Sequence, residues 1–118
     1  MLTNLGKFLR KLRIDRGELL KDMAGKLDVT VSFLSAVENG KKRMPSAWNN
    51  KICELYNLDE KQIIEFTQSV ADSEEKVEVY LKDTNDKKRY AAVSFARRFS
   101  DFSDRQLDQL IKIIEEEE

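Results

Sequence analysis

Leu27-Asp28-Val29-Thr30-Val31-Ser32-Phe33-Leu34-Ser35-Ala36-Val37-Glu38-Asn39-Gly40 is the stretch whose reading decides the fold. It spells a tight turn, a short helix over 31–38 and a glycine stop. Thr30 suits the N-cap, because its hydroxyl can accept from the free amides of the first turn. Leu34 and Val37 lie three apart and can face a core, whereas Val31, Ser32, Ser35 and Ala36 are small and fall on the outer arc. Gly40 suits the left-handed residue that closes a helix. A short, capped helix with small outer side chains can enter a groove without steric conflict.

Upstream, Leu5, Phe8, Leu9 and Leu12 follow the i, i+3, i+4, i+7 pattern. This predicts an amphipathic helix over about 5–16, ended by Gly17, with Lys7, Arg10, Lys11 and Arg13 off the apolar stripe. Leu20, Met23, Ala24 and Leu27 repeat the pattern over about 19–27, with Ala24 small where the next helix must cross. Asp28 takes the turn, where a residue tolerant of left-handed dihedrals is wanted. Downstream, Lys41-Lys42-Arg43 places three positive charges on a loop, and Ser46 after Pro45 is expected to cap a helix over about 47–56. Trp48, Ile52, Leu55 and Tyr56 form its stripe, with Cys53 packing beside it as a small hydrophobe. Asp59 and Gln62 resemble a capping box opening a fifth helix to about Val70.

Composition shifts after Ala71, which sets the expected boundary between residues 1–71 and 72–118. Val77 to Lys82 alternates apolar and polar residues and predicts a half-buried strand. No second strand is evident in the chain, and a lone edge exposes unpaired amides. Val77, Val79, Tyr80 and Leu81 are therefore expected to pair across a symmetric homodimer. Turn residues at 84–86 precede a helix over about 86–99 with Ala92, Phe95, Ala96 and Phe99. Ser103 and Gln106 form a second capping box, followed by Leu107, Leu110, Ile111 and Ile114 on one face. The terminal run 115–118 is expected to be solvated and frayed, because acids oppose the dipole at a helix C-terminus.

The 118 residues are 41% hydrophobic and 36% charged, with four glycines and one proline, a balance that favours helices. No apolar run approaches 18 residues, so no membrane span or signal peptide is expected. Cys53 has no partner for an internal disulfide, and a reducing cytoplasm is the expected compartment. Without histidine the commonest general base and metal ligand is missing, and no glycine-rich phosphate loop occurs. No enzyme, metal or cofactor is expected. Residues 1–56 carry 11 Lys/Arg against 6 Asp/Glu, and residues 57–118 carry 10 against 16. This asymmetry suggests a polyanionic partner for the first half.

Residues 5–60 resemble the phage-repressor (Xre/Cro-type) helix-turn-helix family. The resemblance rests on Arg13, Gly17, Met23-Ala24, Val29-Thr30, Leu34, Val37, Glu38-Asn39-Gly40, Lys41-Lys42-Arg43 and Pro45. It implies a five-helix lambda-repressor-like domain and covers nothing after it; with the short strand and two helices read from the spacing downstream, the chain is expected to be mainly all-α. It also implies a homodimeric, sequence-selective regulator of double-stranded DNA, a repressor in the expected reading, with helix 31–38 in the major groove. Thr30, Val31, Ser32, Ser35 and Ala36 would then meet base edges or the groove, and Asn39, Lys41, Lys42 and Arg43 the phosphates. Glu38 would pair with Arg13. Leu19-Leu20 departs from the polar pair that opens the second helix in many relatives, one of which grips a phosphate. The side chains on the outer arc cannot make bidentate base contacts, so readout would lean on DNA shape and backbone. The alternative is an antitoxin-type module on the same fold, binding a partner protein through its acidic C-terminal half.

Overall fold

The computed structural model describes residues 1–116; of the acidic run expected to fray, Glu117 and Glu118 lie outside the described residues. The chain divides into two compact units, Met1–Glu78 and Val79–Glu118. Seven α-helices and no strand occur among the described residues. None of these helices is long and apolar enough to cross a membrane.

The first unit holds α1 (Asn4–Arg16), α2 (Leu20–Lys26), α3 (Val31–Glu38), α4 (Trp48–Leu55) and α5 (Glu60–Ala71). Their apolar stripes converge on one core in which Leu9, Met23, Leu34, Val37, Ile52, Tyr56 and Phe66 are fully buried. Stacking of Phe8 on Phe66, with centroids 5.4 Å apart, ties α1 to α5. An edge contact at 6.0 Å between Phe33 and Trp48 ties α3 to α4. Gly17 closes α1 in the left-handed region at φ 66°, as its place after the stripe predicts. Asp59 and Gln62 form the reciprocal capping box of α5.

Gly6 lies in the first turn of α1, where the backbone passes the last residue of α3. A Cβ there would stand 2.2 Å from the Glu38 carbonyl oxygen, so only glycine permits this approach. Thr3 reinforces the junction. Its hydroxyl accepts from the Gly6 amide at 3.1 Å and donates to the Glu38 carbonyl at 3.1 Å, and its own amide reaches that carbonyl at 3.0 Å.

The second unit contains α6 (Asp86–Arg98), a 3₁₀ turn at Phe99–Asp101 and α7 (Asp104–Glu115). Asn85 caps α6, and Ser103 with Gln106 forms the capping box of α7. Phe95 lies 5.5 Å from Phe99 and 5.4 Å from Phe102, centroid to centroid. None of the described residues of this unit is buried.

Two expectations are corrected. The alternating segment forms no strand: Val77, Val79 and Tyr80 are exposed, Leu81 is half-buried, and none is in a ladder. The alternation sets which side each residue takes, and it does not require a strand alongside. The Arg43 guanidinium takes the Lys76 carbonyl and pairs with Glu74 and Glu78, so it holds the chain leading into the segment and, within it, only Glu78. Ser46 does not cap α4, whose N-cap is Ala47 with no side-chain bond. Its carbonyl instead accepts from the Asn49 amide and side chain.

Arg13 and Glu38 are both buried and face each other in a two-pronged pair, Nη1 to Oε2 and Nη2 to Oε1, the latter at 3.1 Å. Removing one partner strands a buried charge, which costs about 3–5 kcal/mol, whereas replacing both with apolar groups of similar volume is close to neutral. Arg13→Met should therefore lower the unfolding free energy by about that amount, and Arg13→Met with Glu38→Leu should recover most of it. Urea titration of the three chains checks both arms.

Candidate nucleic-acid interface

The turn that presents α3 is built by three local devices. Leu27 ends α2 and is buried, while Asp28 adopts φ 58°, the left-handed conformation its side chain tolerates. The Val29 amide returns to the Ala24 carbonyl at 3.0 Å, which fixes the angle between the helices. Thr30 then caps α3, its hydroxyl accepting from the Phe33 amide at 3.0 Å. Leu34, Val37 and Glu38 are buried on the inner side of α3. On the outer side Val31 and Ser32 are exposed, and Ser35 and Ala36 are half-buried.

The loop after α3 is tied to it through the main chain. Asn39 caps the helix by donating its side-chain amide to the Ser35 carbonyl at 2.8 Å. Gly40 takes φ 75°, and the Lys41 and Lys42 amides both bond the Ala36 carbonyl, at 2.8 and 3.2 Å. Neither ammonium is in an ion pair among the described residues, so both project as free cations beside α3. Arg43 is different. Its Nε bonds Glu74 at 2.9 Å, its Nη2 the Lys76 carbonyl at 2.7 Å, and its Nη1 lies 3.6 Å from Glu78. Of the four residues singled out for phosphates, the structure leaves Lys41 and Lys42 open, engages the Asn39 amide in the cap and surrounds Arg43 with acids.

The charge asymmetry also changes once the fold is known. The compact unit runs to Glu78, and over Met1–Glu78 the count is 13 Lys/Arg against 13 Asp/Glu. The positive character is thus local to the helices and the loop near α3, and the acids of residues 72–78 fold back to balance part of it. Asp72 likewise accepts from the Asn4 side chain at 2.9 Å.

At the start of α2, Leu19 is exposed at the N-cap, and its amide is held by the Asp22 carboxylate at 2.8 Å. Leucine cannot supply the other half of a capping box, and no polar side chain stands at this position. A cluster that the apolar spacing does not announce braces α2 instead. The buried Tyr56 hydroxyl donates to Glu18 at 2.8 Å, Glu18 pairs with Lys26, and the Lys26 ammonium lies 4.8 Å from the Tyr56 ring centroid.

A family model described as helix-turn-helix domain matches residues 6–68, spanning α1 to most of α5. The chain belongs to this helix-turn-helix family, in agreement with the Xre/Cro-type resemblance of its motif. No curated protein and no solved structure matches it.

The Tyr56 cluster makes stability depend on pH. Burial, then the hydrogen bond to Glu18 and its charge, raise the phenol above its ordinary 10.0. Burial alone would raise Glu18, but the bonds from Lys26 and Tyr56 outweigh it and hold the carboxyl below 4.5. A raised phenol in the folded state stabilises fully below pH 10.0 and loses that contribution as pH climbs further. The lowered carboxyl stabilises above pH 4.5 and loses its contribution as pH falls through its folded value. Cys53, raised by burial from 9.0, adds to the alkaline loss. Melting temperature followed from pH 8 to 11 should fall, and Tyr56→Phe should flatten that decline above pH 10; an unchanged slope removes Tyr56 as its source.

Proposed function

We propose that this chain is a sequence-selective regulator of transcription, a non-catalytic cytoplasmic repressor that binds double-stranded DNA as a homodimer. In this reading Met1–Glu78 binds DNA with α3 in the major groove, and Val79–Glu118 supplies self-association. The observation that carries it is the split of α3 into two sides. Leu34 and Val37 are locked in the core, while Val31 and Ser32 stand exposed at the capped N-terminal end, small enough for a groove to close over them. Val31 and Ala36 would offer methyl contact to thymine, and Thr30, Ser32 and Ser35 single hydroxyls. Lys41 and Lys42 would hold phosphates, and Asn39 would position the backbone at the helix end.

Because the base-facing groups are small, discrimination would depend on duplex shape and on the spacing of two half-sites roughly one helical turn apart. The test is a salt titration of binding to a duplex pool selected by the native chain. Ser32→Glu puts a negative charge into the groove without touching the core. Native protein should enrich a pseudo-palindromic site and Ser32→Glu should lose it, whereas absence of native binding at low salt would end the DNA reading.

Arg43 supplies a second check on the same duplex. Glu74→Gln with Glu78→Gln removes both opposing charges from the guanidinium, which keeps its Lys76 carbonyl bond, and each further phosphate neutralised steepens the log–log salt slope by about 0.9. The double variant should bind more tightly at low salt and show that steeper slope. An unchanged slope would remove Arg43 from the phosphate-binding set.

A further inference from the structure

Val79–Glu118 is too open to be a finished unit. Its described residues include none that is buried, yet Tyr90 is 77% exposed, Val93 58%, Ile111 50% and Ile114 77%. A unit of this size whose described residues form two helices and include no buried side chain does not offset its own ordering entropy, and such units are completed by association. The positions of these side chains define two faces. Along α6, Arg89, Val93 and Arg97 recur at intervals of four and share one side, with Tyr90 adjoining; Phe95 and Phe99 lie on the other side, against Phe102. Along α7, Leu107 and Leu110 are half-buried, but the continuation of their stripe at Ile111 and Ile114 is open, and Asp108 and Glu115 flank it at helical spacing. The α6 side is a short apolar patch between two arginines, with Asp86 at its N-terminal end, and the α7 side is an apolar stripe with an acidic border. None of Arg89, Arg97, Asp108 and Glu115 is in an ion pair among the described residues.

We propose that these two faces are complementary halves of one interface, the α6 face of one copy seating on the α7 face of a second copy. This deepens the homodimer reading by assigning its surface. A two-fold axis repeats the contact, so each copy gives one basic-bordered and one acidic-bordered face and the unit closes at two chains. Val93 and Tyr90 then cover Ile111 and Ile114, and Arg89 and Arg97 border Asp108 and Glu115. The assignment gives the four charges a selective role: two α6 faces would set basic borders together, and two α7 faces acidic ones, which like-charge repulsion opposes.

The experiment uses full-length chains in sedimentation equilibrium. One variant reverses the basic border (Arg89→Glu with Arg97→Glu), and another reverses the acidic border (Asp108→Arg with Glu115→Arg). Circular dichroism of each checks that the helices persist. Alone, each variant brings like charges together at both copies of the contact, and its self-association constant should weaken roughly tenfold or more relative to the native chain. Mixed in equal amounts, the two variants restore opposite charges at both contacts and should form a heterodimer close to native affinity. A mixture no tighter than its components overturns the proposal. If the native chain dimerises and both variants dimerise equally well, the homodimer stands but its surface lies elsewhere. A native chain that stays monomeric at all concentrations overturns the homodimer and this interface together.

Discussion

Glu38 is the residue on which the placement of the whole first unit turns. Its carboxylate is buried against Arg13 of α1, and its carbonyl oxygen receives both the amide and the hydroxyl of Thr3. Gly6 is flattened against that same carbonyl by the lack of a Cβ. One residue at the end of α3 therefore fixes both ends of the relation to α1: the first turn of α1 through the backbone and its last turns through a side chain. A buried ion pair is a poor source of net stability, since desolvation consumes much of its Coulombic gain. Its geometric demand is strict, however. A planar guanidinium offering two parallel bonds accepts only one orientation of the carboxylate. With Leu34 and Val37 anchored in the core, that orientation sets which residues of α3 face outward.

The local part of this arrangement was legible in the sequence because it is written in local chemistry. The apolar spacing placed α1 to α5, Thr30 marked the start of α3, and Asp28 and Gly40 marked the two left-handed turns around it. Each is a case where a few neighbouring residues determine dihedrals or a hydrogen bond. Glu38 and Arg13 could be paired only through the family motif, since 25 residues separate them. What depended on distant partners was read less well. The alternation at 77–82 reports that side chains go to opposite sides, not that a strand lies alongside. The guanidinium of Arg43, more than thirty residues earlier, instead holds the chain just before that segment, at Glu74 and the Lys76 carbonyl. The tightness around Gly6 was hidden for the same reason. A glycine inside a helical stripe signals close approach, but the approaching backbone is that of Glu38.

The charge pattern shows how a linear count misleads about a folded surface. Divided at residue 56, the chain looks like a basic half and an acidic half. Divided where it folds, the first unit is balanced, because residues 72–78 return across the loop after α3. For the proposed DNA complex this matters more than net charge. Phosphate attraction acts over roughly the Debye length of 8–10 Å in physiological salt. Lys41 and Lys42, tied by their amides to the Ala36 carbonyl beside the exposed part of α3, are within that range of any duplex the helix enters. The acids packed on Arg43 come from residues 74–78 and lie against this loop, where they reduce the field. In the proposed complex such an interface would give modest attraction per copy and would benefit from being doubled.

That need for doubling links the two units without any contact between them being invoked. In the proposed complex, small groove-facing side chains would give each half-site little base discrimination, since single hydroxyls and methyl groups fix far less than a bidentate pair does. Two half-sites held at a fixed spacing recover selectivity through geometry, because the second binding event becomes intramolecular at a high effective concentration. The second unit has features that the proposed coupling would use: no buried side chain among its described residues, apolar surface open on both helices, and charges that would favour the proposed pairing. A unit stabilised only by its counterpart also makes the paired state depend on protein concentration. In the proposed regulator, occupancy of the operator would therefore rise more steeply than linearly with the amount of chain, a property that follows from the missing core of residues 79–116 rather than from anything in the groove.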